Sequence, residues 1–266
     1  MKAKIYILTY KRPRILNLTL NSLFDSDAFS ADASDTIEVN IINNHTEFFL
    51  EEEFKNKVTV LHNNLRPDFS TGHLSRSWNQ ALILGFRNLA DPDCELVITL
   101  QDDVLLHKDW LTKLKKLHFE DNFSFVQNGH GDALCSYTCE TVRKVGLWDE
   151  RFIMGMQAAD YFYRHLMYNW DGCTITDPGH QRVHNPTTLS LVSDSFFGLT
   201  WSDPALDLSV GSSLMDLKYG SRDNTWPWSN ENKTKARSMK FGAPNFIFYP
   251  YFEKEVYNLR EKGYLI

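Results

Sequence analysis

The sequence has no stretch approaching the roughly 20 consecutive apolar residues that a membrane span needs. It also lacks a signal-peptide core, because residues 1–13 run straight into a strand pattern. These two absences predict a soluble, cytoplasmic protein with no membrane span. Cysteine is scarce: four residues (Cys94, Cys135, Cys139, Cys173), of which only Cys135 and Cys139 lie close together, with no second pair to complete a zinc site. A disulfide framework is excluded, and the thiols read as buried. Internal repeats and low-complexity tracts are absent too, which removes solenoids and arrays.

What is present suits one sizeable core. A chain of 266 residues with 42% hydrophobic and 14% aromatic residues is short for two independent enzymatic domains. The net charge of -6 is uneven: residues 205–266 carry nine Lys+Arg against seven Asp+Glu, leaving 19 against 27 elsewhere. An acidic body argues against a surface that tracks a polyanion throughout, while leaving room for a local basic groove.

Apolar runs at Ile5 to Leu8, Ile37 to Ile42, Val58 to Leu61 and Leu96 to Leu100 predict strands, each closed by polar residues. Leu16, Leu20 and Leu23 recur at helical spacing, as do Leu74, Trp78, Leu82, Gly85 and Leu89. Further helices are expected around Trp110 to Leu117, Glu140 to Val145 and Gln157 to Trp170, with strands at Phe123 to Val126 and Cys173 to Thr176. Strands alternating with helices predict an α/β fold with a mainly parallel sheet flanked by helices. Ligands of such sheets sit beyond the carboxyl ends of the strands. Residues 1–192 are expected to form the catalytic domain, and 193–266 an irregular lid and extension of it.

Three constellations carry chemistry. Gln101-Asp102-Asp103 ends an apolar strand, and two adjacent carboxylates there repel unless a cation is supplied; oxygen ligands suit Mg²⁺ or Mn²⁺, which also bind diphosphates. His184, and less so His180, stands where it could add a nitrogen ligand. Asp160, on the first turn of a helix with Arg164 one turn on, is a candidate general base. The bland readings are a solvated turn for the first, a surface histidine for the second and an ordinary helix ion pair for the third.

In this order the motifs resemble the metal-dependent glycosyltransferases of the GT-A fold, most closely the family 2 type. Residues Thr9, Tyr10, Lys11, Arg12 and Pro13 look like the first strand's nucleotide-contacting loop. Asn43 stands where the family has a base-binding Asp, and Ser77-Trp78-Asn79-Gln80-Ala81 resembles its Ala-Arg-Asn helix. Gln101-Asp102-Asp103 matches the Asp-x-Asp position, and Gly146 to Phe152 the Gly-x-Phe-Asp-Glu-x-Phe turn. Asp160 and Arg164 fall on the last Asp and the Arg of Glu-Asp-x-Asp-x-x-x-Arg, and His184 on the late metal-binding His. The likeness spans about residues 4 to 190. It departs at Gln101, which shifts the metal role to Asp103 and leaves Asp102 for ribose or a water-mediated contact. It departs again at Gln157 and Ala158, which stand where the family's base pair does, and at Asn43, which weakens the case for uracil.

The resemblance implies transfer of one sugar from a nucleoside-diphosphate sugar to an acceptor hydroxyl with inversion. Mn²⁺ or Mg²⁺ on Asp103 and His184 would brace the diphosphate. Thr9, Tyr10, Arg12, Asn43, Asn79 and Asp102 are the expected donor-binding set, and Asp160 or Asp132 the base. Residues 218–240 hold six basic residues against two acidic ones, interleaved with Tyr219, Trp226 and Trp228. Trp226, Trp228, Lys233 and Arg237 are therefore the acceptor candidates, for a saccharide of a surface polymer or, alternatively, a nucleic acid carrying a modified DNA base. Two rivals stand beside this reading. A nucleotidyltransferase would carry a glycine-rich loop after its first strand, whereas the loop here has no glycine; a non-catalytic sugar-nucleotide-binding module is encouraged by Gln101 and Ala158.

Overall fold

The computed structural model describes residues 1–30, 34–63, 74–127, 131–152, 156–174, 188–190, 211 and 264. Among them the chain alternates strand and helix as the apolar periods require. It runs β1 (Lys2–Thr9), α1 (Pro13–Phe24), β2 (Thr36–Asn43), β3 (Thr59–His62), α2 (Leu74–Phe86) and β4 (Leu96–Gln101). There follow β5 (Val104–Leu106), α3 (Trp110–Lys115), β6 (Phe125–Gln127), β7 (Leu134–Tyr137), α4 (Cys139–Val145), α5 (Gln157–Tyr168), β8 (Cys173–Thr174) and β9 (Thr188–Ser190).

Seven strands form one sheet in the order β3-β2-β1-β4-β7-β6-β8, and β5 pairs with β9 in a small second sheet. The pairs β3-β2, β2-β1 and β1-β4 are parallel, whereas β7 runs antiparallel to both β4 and β6. β7 is the one reversed strand of the seven described. The sheet is thus mainly parallel, as the pattern predicts, but its fifth position is filled by a strand that the apolar pattern does not announce.

Alternation along the strands sends side chains to two cores. Ala3, Ile5 and Ile7 of β1 and Leu96, Ile98 and Leu100 of β4 pack with Leu16, Leu20 and Leu23 of α1 and Trp110 of α3. Tyr6, Leu8 and Val97 face the other way, onto Trp78, Leu82 and Phe86 of α2 and the Trp148, Tyr161 and Phe162 cluster beside α4 and α5. Both faces are covered, which is why β1 and β4 read as continuous apolar runs. Gly85 lets α2 lie directly on the sheet, since a Cβ there would overlap the Val97 side chain. Tyr264, far along the chain, is buried in the same core with its hydroxyl donating to the Leu82 carbonyl at 3.2 Å.

Pro13 opens α1 at a position where its missing N–H costs nothing. Two residues earlier, Lys11 adopts φ 58°, a left-handed conformation uncommon for a side chain of this size. That turn brings Arg12 back toward the end of β4.

Candidate active site

The carboxyl ends of β1, β2, β3 and β4 lie side by side and present Thr9, Asn43, His62 and Gln101 along one edge. Because β7 is reversed, its amino end meets this edge: Leu134 pairs with Leu100, so Asp132 arrives next to Gln101. The strand reversal is what brings a third carboxylate to the site.

Asp102 and Asp103 are both buried. The turn that carries them is pinned to α1 by Thr19, whose hydroxyl donates to the Asp102 carbonyl at 2.7 Å, and by Ser22, whose hydroxyl accepts from the Leu106 N–H at 3.1 Å. The Thr9 hydroxyl donates to Asp102 Oδ2 at 2.7 Å. Arg12 reaches both carboxylates, donating through one terminal nitrogen to Asp102 Oδ1 and through the other to Asp103 Oδ2 at 3.3 Å. The remaining oxygen, Asp103 Oδ1, is buried with no hydrogen-bond partner. Desolvation pushes the Asp102 carboxyl up to about 7 against the lowering pull of Arg12, with Asp103 raising it further. Burial raises Asp103 as well, with Arg12 opposing.

Asp132, also buried, accepts from Trp78 Nε1 at 3.0 Å, Gln157 Nε2 at 3.3 Å and Gln101 Nε2 at 3.2 Å. All three donors are neutral, so desolvation prevails and its carboxyl lies above the ordinary range. Gln101 and Gln157, which the motif comparison counts as losses, converge on this one carboxylate.

The other expected residues are placed differently. Asp160 is buried in an ion pair with Arg164, at 3.1 Å, and Arg164 also donates to the carbonyls of Val145 (2.9 Å) and Leu147 (2.7 Å). The pair therefore fastens α5 to the end of α4. Asn79 donates to the Trp148 carbonyl and to Glu150, each at 2.9 Å, and accepts from the Trp148 N–H at 2.8 Å. Its amide shapes the turn from Gly146 to Phe152 and does not face the strand ends. Asn43 accepts from the His45 N–H at 3.2 Å and stands 3.1 Å from His62 Nδ1, so its amide closes the turn after β2. Tyr10 meets the His45 ring edge to face at 5.4 Å, and the Lys11 ammonium lies 5.2 Å from the Tyr10 ring. His45 and His62, which the motif reading does not single out, also stand here, in the polar residues that close β2 and β3. His184, Trp226, Trp228, Lys233 and Arg237 lie outside the described residues.

A hard divalent cation fits here to a limited degree. Asp103 Oδ1 is a buried anionic oxygen without a partner, the chemistry that Mn²⁺ or Mg²⁺ takes. Among the described residues no group of three or more His, Cys, Asp and Glu side chains converges to hold a metal unaided.

No protein-family model and no curated protein sequence matches the chain. Solved structures similar to it are GT-A-type glycosyltransferases. They include residues 1–349 of S. aureus TarS, at 15% identity and TM-score 0.46 over 62% of this chain and 56% of that one. Another is the mannosyltransferase PcManGT of Pyrobaculum calidifontis, solved with GDP-Man and Mn²⁺, at 12% identity and TM-score 0.49 over 88% and 73%. A third is glucosyl-3-phosphoglycerate synthase of Mycobacterium tuberculosis, solved with Mn²⁺, UDP and glucosyl-3-phosphoglycerate, at 13% identity and TM-score 0.41 over 64% and 67%. The chain spans little more than half of the 1–349 fragment of TarS and about a third of the longer TarS chain, 34%. No helix among the described residues is long and apolar enough to cross a membrane.

Proposed function

We propose that the chain is a glycosyltransferase that moves one sugar from a nucleoside-diphosphate sugar to an acceptor hydroxyl with inversion. The observation that carries this reading is the buried Asp102 and Asp103 pair at the end of the central strand β4, one oxygen of it unpartnered and the rest gripped by Thr9 and Arg12. Paired carboxylates at that edge of a parallel sheet suit a nucleotide's metal and ribose. A bound Mn²⁺ or Mg²⁺ would supply positive charge to the leaving diphosphate. Asp103 would hold it, with His184 a further proposed ligand. Arg12, from the loop after β1, is close enough to the pair to pass to a phosphate.

In the reaction the acceptor oxygen bonds to the anomeric carbon, the bond from that carbon to the diphosphate oxygen breaks, and the nucleoside diphosphate leaves with the electron pair. The acceptor proton goes to a carboxylate. Asp132 is our assignment for that base, because its donors are neutral and its burial keeps it ready to take a proton. Asp160 is committed to Arg164. We assign a saccharide as the acceptor, with residues 193–266 as the covering lid.

The test is a thermal-shift screen of UDP- and GDP-sugars with and without Mn²⁺, on the wild type and on Asp103→Ala. The wild type is expected to be stabilised by at least one nucleotide sugar in the presence of Mn²⁺, and Asp103→Ala to lose that metal-dependent shift while melting near the wild-type temperature. Near-wild-type turnover in Asp103→Ala with metal present would overturn the proposal.

A further inference from the structure

Four oxygens belong to the Asp102 and Asp103 side chains, and three of them are already bonded within the protein: one by the Thr9 hydroxyl and two by the Arg12 guanidinium. Only Asp103 Oδ1 is without a partner. A divalent cation that prefers six or more oxygens would gain one protein atom from this pair, and would stand beside a guanidinium of like charge.

Arg12 is placed for this by its own backbone. Lys11 holds the left-handed turn before it, and Pro13 fixes the start of α1 after it, so the guanidinium is aimed across the ends of β1 and β4. Its planar fork spans two separate carboxylates, a geometry that a lysine ammonium would not reproduce.

We infer that Arg12 is the resident counter-ion of the Asp102 and Asp103 pair, and that it must be drawn off before a divalent cation can bind more than one oxygen of that pair. The natural agent is a phosphate group, because a guanidinium exchanges a carboxylate for a phosphate without losing charge-assisted hydrogen bonds. A nucleoside diphosphate would thus bring the cation's missing oxygens and remove its competitor together. This rests on the proposed nucleotide-sugar reading for its second half; the competition between Arg12 and the cation stands on the contacts alone.

The experiment is a Mn²⁺ titration of the metal-free full chain, followed by calorimetry and by the electron paramagnetic resonance signal of free Mn²⁺, with no nucleotide and then with UDP or GDP. Expected are weak binding of Mn²⁺ alone to the wild type, and tighter binding when one of the nucleotides is present. Arg12→Ala and Arg12→Gln should bind Mn²⁺ alone at least about tenfold more tightly than the wild type, since two carboxylate oxygens are released and a like charge removed. Arg12→Lys, which keeps the positive charge but loses the fork, should fall between the wild type and the neutral variants. If folded Arg12→Ala and Arg12→Gln, checked by their melting temperatures, bind Mn²⁺ no better than the wild type, the inference is wrong. The wild-type titration needs no variant: tight Mn²⁺ binding without nucleotide would also overturn it. If neither UDP nor GDP alters Mn²⁺ binding while the Arg12 variants tighten it, the counter-ion role stands and the phosphate half falls, along with the functional reading that it rests on.

Discussion

Asp132 and Asp160 are both buried carboxylates near helical elements, yet their surroundings give them opposite work. Asp132 faces three neutral donors, Trp78, Gln101 and Gln157, and burial raises its carboxyl. Asp160 faces Arg164, which two backbone carbonyls hold in place. With whichever nucleotide sugar the thermal screen selects, Asp132→Asn is expected to lower kcat by about 10² to 10⁴, the usual weight of general-base catalysis, with donor binding unchanged. Asp160→Asn should instead appear in the melting curve, because stripping one partner from a buried ion pair costs on the order of 3–5 kcal/mol. Measuring kcat and Tm for both variants separates the roles, and a kcat loss confined to Asp160→Asn would return the base to α5. The sequence makes Gln101 and Gln157 look like missing acids. Only the reversed strand β7, which carries Asp132 to them, explains why amides suit those positions: a carboxylate at either would stand against a third buried carboxylate.

At the scale of elements, what was legible followed from pattern length. β4 is apolar from Leu96 to Leu100 apart from Thr99, and α2 carries four apolar or small positions (Leu74, Trp78, Leu82, Gly85) on one stripe that Leu89 continues beyond its end, so both are readable with their polar ends. β7 was not, because Leu134-Cys135-Ser136-Tyr137 is four residues long and neither alternates nor runs apolar; its place between β4 and β6 is a tertiary fact. Asn79 illustrates the converse, since the motif pointed to the donor, whereas the packing of α2 against the turn at Trp148 claims its whole amide. The segment after α3 shows an element joined to the sheet by one titratable group. His118 Nδ1 donates to the Phe123 carbonyl at 2.6 Å, and Nε2 is then the acceptor for the Ser136 hydroxyl of β7 at 2.8 Å. This neutral form is enforced by burial, which lowers the imidazole from 6.5 to about 4. A lowered folded value means that the stabilisation is complete above pH 6.5 and is lost as the pH falls toward 4, because the unfolded chain takes up the proton first. The loss should approach 3 kcal/mol in order of magnitude. The raised carboxyls of Asp102, Asp103 and Asp132 act in the opposite sense, favouring the folded state at low pH. Denaturant melts at pH 7 and pH 5 should therefore be compared between wild type and His118→Asn, whose stability is expected to fall less on acidification; equal losses would remove His118 as the cause.

At the scale of the molecule, the described residues hold most of the proposed donor site and none of the proposed acceptor residues Trp226, Trp228, Lys233 and Arg237. The basic and aromatic segment 218–240 lies outside the described residues. If it meets a saccharide, reversing the charges of Lys233, Lys235 and Arg237 should leave acceptor KM nearly independent of salt in both proteins. A polyanionic acceptor would instead give a steep loss of affinity with added salt in the wild type and a shallower one in the triple variant. A salt series of acceptor KM decides between them, and the saccharide assignment predicts the flat result.

The reversed strand has one more consequence, for the order in which the chain is made. β4 obtains its parallel neighbour β1 from residues already synthesised, but its other neighbour, β7, begins 33 residues after β4 ends. Until Leu134 to Tyr137 have left the ribosome, the growing chain carries Leu96 to Leu100 with one row of backbone N–H and C=O groups unpaired. These are nearly all apolar residues without a charge among them, the composition that pairs most readily with another nascent copy. The strand that delivers Asp132 to the site is therefore also the one that closes this uncharged, aggregation-prone edge during synthesis.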